Sequence, residues 1–140
     1  MGILSPQSEA LVLRKARILV IDDNPSVVTV LSYVLSGEEF GYDVLPAADG
    51  PSGLAVAARE IPDLILLDFD MPHFNGLQVL KALAIERGLK DIPVIVMTGR
   101  PSKQVRELCL GAGAREMISK PFELESLKAT LVRHLPEKAA

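Results

Sequence analysis

At 140 residues, 49% of them apolar and 24% charged, the chain suits one globular domain, since a second would need roughly another 100 residues. The net charge of −3 without a Lys/Arg cluster, the 4% aromatic content and the lack of Trp disfavour direct nucleic-acid binding by phosphate neutralisation or base stacking. No apolar run approaches the ~20 residues of a membrane span, the N-terminus lacks a signal-peptide pattern, and Cys109, the single cysteine, has no intrachain disulfide partner, so a cytoplasmic chain with protein partners is expected.

Residues 1–16 precede the regular pattern and are expected to form a loosely ordered extension, with the domain proper over 17–137 and no output domain. Arg17-Ile18-Leu19-Val20-Ile21 is a short β-branched run ending at Asp22. From Pro25 to Leu35 the apolar residues recur at helical spacing, with Asn24 as a cap. Tyr42–Leu45 reads as a second strand, and Asp49–Gly53 opens a helix that ends near Glu60, before Pro62. Asp63–Leu67 is a third, fully apolar strand ending at Asp68. The loop Met71–Gly76 leads into a helix carrying Leu77, Val79, Leu80 and Leu83. Ile92–Met97 forms a fourth strand ending at Thr98, and a helix from about Pro101 to Leu110 carries Val105, Leu108 and Leu110 until Gly111 and Gly113 stop it. Glu116–Ser119 is a short fifth strand ending at Lys120-Pro121, and Leu124, Leu127, Leu131, Val132 and Leu135 mark the last helix. Strands alternating with helices predict an α/β fold with a parallel sheet covered on both faces.

The polar residues stand at strand ends. Asp22-Asp23, Asp68, Thr98 and Lys120 close the first, third, fourth and fifth strands. In a parallel sheet these groups share the carboxyl edge, where ligands bind in the crevice at which strand order reverses. Three carboxylates packed together repel one another and raise their own pKa values. A small hard cation such as Mg²⁺ removes that conflict and keeps waters that phosphate oxygens can replace. Asp68, kept ionised, can then attack phosphorus as a nucleophile, while Lys120 and the Thr98 hydroxyl hold the transferred oxygens.

Ile-Asp22-Asp23-Asn24-Pro25, Leu-Leu-Asp68-Phe69-Asp70-Met71-Pro72 with Asn75-Gly76-Leu77, Val-Met-Thr98-Gly99 and Ser-Lys120-Pro121-Phe122 follow one another in order. Together they closely resemble response-regulator receiver domains over roughly residues 17–135. The resemblance implies a flavodoxin-like (βα)5 sandwich with strand order 2-1-3-4-5. It implies Asp68 as phosphoacceptor, with Mg²⁺, or Mn²⁺ in its place, held by Asp23 directly, Asp22 partly through water, Asp68, and the Asp70 backbone carbonyl. Lys120 would contact the phosphoryl group and precede a cis bond to Pro121. Thr98 would be the switch hydroxyl, Gly99 the small residue beside it, and Asp70 and Arg100 the residues that tune phosphoryl lifetime. Met117 stands where the family usually has an aromatic switch residue, so the switch is expected in altered form. The Ser36–Phe40 stretch looks longer than usual, and His73 stands where glycine is common.

The implied partners are a histidine kinase or histidine phosphotransfer protein as donor, docking near the first helix and the loop after Lys120, and a downstream protein read by the fourth helix, fifth strand and fifth helix. The chain would be a monomer or a phosphorylation-dependent dimer of the chemotaxis-like, stand-alone type, or a receiver cut from a hybrid histidine kinase. It would be no dedicated enzyme, only transferring the phosphoryl group to itself and losing it again. A binding module that works without phosphorylation is the main rival. Asp68-Phe69-Asp70 also resembles the nucleophile motif of haloacid-dehalogenase-type phosphatases, but there the acidic pair follows the nucleophile, whereas here Asp22-Asp23 precedes it. His73 and His134 read as surface residues rather than phosphodonors or ligands.

Overall fold

The computed structural model describes residues 15–135, so most of the 1–16 extension lies outside the described residues. Five strands, β1 (Arg17–Ile21), β2 (Asp43–Ala47), β3 (Leu64–Asp68), β4 (Val94–Thr98) and β5 (Glu116–Ser119), alternate with five helices. The helices are α1 (Pro25–Ser36), α2 (Gly50–Glu60), α3 (Gly76–Ala84), α4 (Lys103–Gly111) and α5 (Leu124–His134). All strand pairs are parallel, in the order β2-β1-β3-β4-β5. This is the flavodoxin-like arrangement that the resemblance implies.

Alternate side chains along each strand point to opposite faces, and here each face has its own core. Leu19, Ile21, Ile65, Leu67 and Val96 pack with Ala57 of α2, Val79, Leu80 and Leu83 of α3 and Cys109 of α4. Ile18, Val20, Leu64, Leu66, Ile95 and Met97 pack instead with Leu31 and Leu35 of α1 and Leu127 and Leu131 of α5. That two-sided burial is why the central strands read as unbroken apolar runs.

Helix starts follow their caps. Asn24 accepts from Ser26 N at 2.9 Å ahead of Pro25 at the first helical position. Asn75 and Gln78 form a reciprocal capping box, Asn75 Oδ1 accepting from Gln78 N at 3.1 Å and Gln78 Oε1 from Asn75 N at 2.8 Å.

Three expected details change. β2 runs to Ala47 through Pro46, because an edge strand tolerates a residue without N–H. α4 starts at Lys103 rather than Pro101, where the Ser102 hydroxyl accepts from Val105 N at 3.0 Å. Its core-facing residues are Val105 and Cys109, one turn apart, whereas Leu108 and Leu110 are exposed.

Candidate functional site

The reversal of strand order falls between β1 and β3, because the chain leaves β1 for β2 on one side and returns to β3 on the other. Asp22 directly follows β1 and Asp68 ends β3, so both carboxylates face the crevice that this reversal opens. Both are buried, while Asp23 is exposed at the rim. Carboxylate oxygens of Asp22, Asp23 and Asp68 lie within 4.8 Å of one another. Lys120, at the end of β5, bridges the pair: Nζ donates to Asp22 Oδ2 at 2.8 Å and to Asp68 Oδ1 at 3.2 Å.

Backbone groups hold these acids in place. Asp22 Oδ1 accepts from Asn24 N at 2.9 Å, and Asp68 Oδ1 accepts from Asp70 N at 3.2 Å. Lys120 N donates to Thr98 O at 2.8 Å, which ties the ends of β4 and β5 together, and the Lys120–Pro121 peptide is cis. Gly76 approaches the acceptor loop so closely that a Cβ there would stand 2.8 Å from Phe69 Cα and 3.0 Å from Asp68 O. In the sequence Gly76 stands out only as part of the Asn75-Gly76-Leu77 motif. The Asn-Gly pair after a strand marks a turn in the sequence, but the contact with the Asp68–Phe69 backbone appears only in three dimensions.

The electrostatics follow from burial. Burial, then the negative charge of Asp22, pushes the Asp68 carboxyl up to about 6 against the opposing pull of Lys120. For Lys120, burial works against the charge, but the Asp22 hydrogen bond and the charges of Asp68 and Asp22 outweigh it and hold the ammonium above its ordinary value. One cation thus sits among three acids. The donor set is all oxygen, anionic, and partly open to water, which fits a hard divalent cation better than a soft one.

Beside this cluster lies a second network. Thr98, buried at the end of β4, donates from Oγ1 to Asp70 Oδ2 at 2.9 Å, and Gly99 N donates to the same oxygen at 3.2 Å. Arg100 N donates to Thr98 Oγ1 at 3.1 Å. The resemblance implies a backbone ligand and a side chain toward attacking water for Asp70; the hydrogen bonds that Thr98 and Gly99 donate to its carboxylate are not legible in the sequence, because a loop side chain leaves no periodic signal. Arg100 is exposed. Met117 is half-buried, opposite Val96 in the β4–β5 register, and packs against the core that α2, α3 and α4 cover.

Two residues outside the cluster gain a structural account. His73 has φ +65°, a left-handed backbone position that glycine adopts most easily. His134 is half-buried rather than free on the surface: its Nε2 lies 2.6 Å from Glu116 Oε2, and Arg133 donates to Glu116 Oε1 at 2.7 Å, joining the end of α5 to the start of β5.

The family model described as the response regulator receiver domain matches residues 18–132. The chain belongs to that family. Protein PilH of Pseudomonas aeruginosa is 36% identical to this receiver domain over 116 residues, which cover 83% of the chain and 94% of PilH. Other curated relatives, including transcriptional regulators, are longer, and the receiver domain spans only roughly half or less of their length. Chemotaxis protein CheY4 of Vibrio cholerae superposes with a TM-score of 0.81 at 33% identity, over 87% of this chain and 100% of that one. The receiver domain of sensor histidine kinase PA1611 from Pseudomonas aeruginosa, solved with a magnesium ion coordinated in its active site cleft, gives 0.78 at 30% identity over 86% of this chain and 98% of that one. Receiver domains are signalling modules, and membership of the family implies phosphorylation-based signalling. No described helix is long and apolar enough to cross a membrane.

Proposed function

We propose that Asp68 accepts a phosphoryl group from a phosphohistidine donor and that the modified site changes the affinity of a protein-binding surface. The observation that carries this reading is the Asp68 carboxylate at the tip of β3, bridged by Lys120 and set beside two further carboxylates. Both donors to Asp68, Lys120 Nζ and Asp70 N, fall on Oδ1, so Oδ2 is the oxygen available to bond phosphorus. As the Oδ2–P bond forms, the N–P bond of the phosphohistidine breaks and its electron pair stays on the imidazole nitrogen.

Asp22, Asp23 and Asp68 would hold Mg²⁺, or Mn²⁺ in its place, with the Asp70 backbone carbonyl as a further oxygen ligand. When bound, such a cation neutralises charge on the transferring group. The magnesium ion in the related PA1611 receiver domain supports the choice. Lys120 and Thr98 bind the oxygens of the new group, and a side chain at Gly99 would meet nothing within 4 Å, so the approach there is open. Asp70 and Arg100, at the rim, set the access of hydrolytic water.

The donor, a histidine kinase or phosphotransfer protein, docks beside the site. An apolar groove of about 480 Å³, lined among others by Val27, Val30, Val34, Phe122 and Leu124, runs between α1 and the β5–α5 loop and reaches Lys120 itself. The downstream surface is α4-β5-α5, where Leu110 is exposed and Met117 stands in place of the aromatic switch residue. A cytoplasmic setting agrees with the buried free thiol of Cys109.

Intact-protein mass after incubation with Mg²⁺ and acetyl phosphate tests the reading. One added phosphoryl group is expected, absent without Mg²⁺ and absent in Asp68→Asn. If acetyl phosphate leaves no adduct and beryllofluoride, which does not hydrolyse away in the same manner, also fails to bind, the chain signals by docking alone.

A further inference from the structure

The Thr98 hydroxyl has one proton, and it is committed. It points at Asp70 Oδ2 at 2.9 Å, while Arg100 N, 3.1 Å away, occupies the acceptor side of the same oxygen. Gly99 N adds a second donor to Asp70 Oδ2 at 3.2 Å. Two donors converging on one anionic oxygen at a strand's carboxyl end form a small anion seat, and the tenant is a side chain of the chain itself. The same residue reaches the acceptor from its other end, because Asp70 N donates to Asp68 Oδ1. A phosphoryl oxygen on Asp68 that draws the Thr98 hydroxyl must take it from Asp70.

We propose that the Asp70 carboxylate is a built-in competitor for the phosphoryl group, occupying the Thr98–Gly99 donor pair in the unmodified protein and leaving it when Asp68 is modified. The inference rests on Asp68 being the phosphoacceptor. Asp70 is exposed, so its side chain swings into water on release and strands no charge in the core. The arriving group carries roughly −1.5 to −2 charges, so it repels the carboxylate as well as outbidding it for donors. Asp70 therefore holds the unswitched conformer, and the competition subtracts from the apparent affinity for any phosphoryl mimic by the fraction of time the seat is taken. This role differs from setting the access of hydrolytic water, because it operates before any acyl phosphate exists.

The test is a beryllofluoride titration of the full chain in Mg²⁺, followed by amide NMR, for the wild type, Asp70→Ala, Asp70→Asn, Thr98→Val and the Asp70→Ala/Thr98→Val double variant. Asp70→Ala is expected to bind roughly three- to tenfold tighter, the scale of one solvent-accessible hydrogen bond to a charged group. Asp70→Asn, which keeps a weaker acceptor oxygen, falls between the two. The Gly99 amide of unloaded Asp70→Ala moves toward its position in the loaded wild type. On the Thr98→Val background the gain from Asp70→Ala shrinks, because half of the contested pair is gone. Equal affinities for the wild type and Asp70→Ala overturn the proposal. So does an equal gain for Ala and Asn that survives undiminished on the Thr98→Val background, since charge alone then explains it. If no chain takes up beryllofluoride, the Asp68 reading falls and this proposal falls with it, an outcome distinct from a wild type that binds without any gain in the variant.

Discussion

The carboxyl edge of the sheet holds two networks that meet at the Asp68–Asp70 turn, and they are built on opposite plans. On the β1–β3 side, anions outnumber the cation: Asp22, Asp23 and Asp68 crowd around Lys120, and two of the acids are buried. On the β4 side, donors converge on an anion: Thr98 Oγ1 and Gly99 N both serve one oxygen of exposed Asp70. The first network has an unmet electrostatic demand, which Lys120 meets only in part, as the raised pKa of Asp68 records. The second is satisfied as it stands. Affinity for an incoming cation therefore originates in the first network, and resistance to an incoming anion in the second.

The largest effect expected from breaking this contrast comes from Lys120→Met. Lys120 Nζ is 2.8 Å from a fully buried Asp22 side chain, and removing it leaves buried like charges facing each other. Breaking such a pair from one side is costly because the remaining charge is desolvated without a partner. Urea titration at pH 7.5 in a chelating buffer should show a stability loss of about 2–3 kcal/mol. Added Mg²⁺ should narrow the gap, since the same carboxylates then have a second cation available. A loss below the scatter of surface substitutions, about 0.5 kcal/mol, means that Lys120 is a bystander to the acids.

How much of this contrast the sequence carries depends on which residues write it. Strand-end position alone marks Asp22, Asp68, Thr98 and Lys120, because unbroken apolar runs announce buried parallel strands and their last residues share one edge. The two-faced core is legible for the same reason. What the sequence hides is what depends on loop course or on a weak helical pattern. The side chain of Asp70 points along a turn with no period, so its bond to Thr98 leaves no trace in residue spacing. α4 has four apolar residues, Val105, Leu108, Cys109 and Leu110, and its buried face is fixed by the Val105–Cys109 pair rather than by the leucines. Pro46 reads as a strand terminator until β2 is known to lie at an edge.

A smaller effect, opposite in sign, belongs to Asp68→Asn. Burial, with the charge of Asp22, holds the folded-state pKa of Asp68 at about 6, above the ordinary 3.8. Folding therefore takes up a proton between those two values. The stability linked to this group is fully present below about pH 4 and is lost as pH rises through about 6. At pH 7.5 without divalent cations the ionised carboxylate is a net burden. Asp68→Asn should then be more stable than the wild type by about 1–2 kcal/mol, a figure reduced for the water that reaches this crevice. Thermal melts from about pH 4 to 8 check it: the two proteins should converge at the acid end, diverge between about pH 4 and 6, and keep a steady gap above about 6. A constant difference across the range assigns the effect to packing rather than to charge.

The smallest effect should come from the satisfied network. Thr98→Val replaces a buried hydroxyl by a methyl of similar size, so packing at the end of β4 is nearly kept and what is lost is the bond to Asp70, with the acceptor for Arg100 N. Asp70 keeps Gly99 N and, being exposed, gains water in place of the hydroxyl. No buried charge is orphaned, which is the step that makes Lys120→Met costly. The expected loss is about 0.5–1 kcal/mol in the same urea titration, the net scale of one hydrogen bond. It should be insensitive to Mg²⁺, because no acid of the metal-type cluster is touched. A loss as large as that of Lys120→Met, or one that Mg²⁺ repairs, means that the two networks are a single cooperative unit and that Asp70 is coupled to the acids through the Asp68–Asp70 turn.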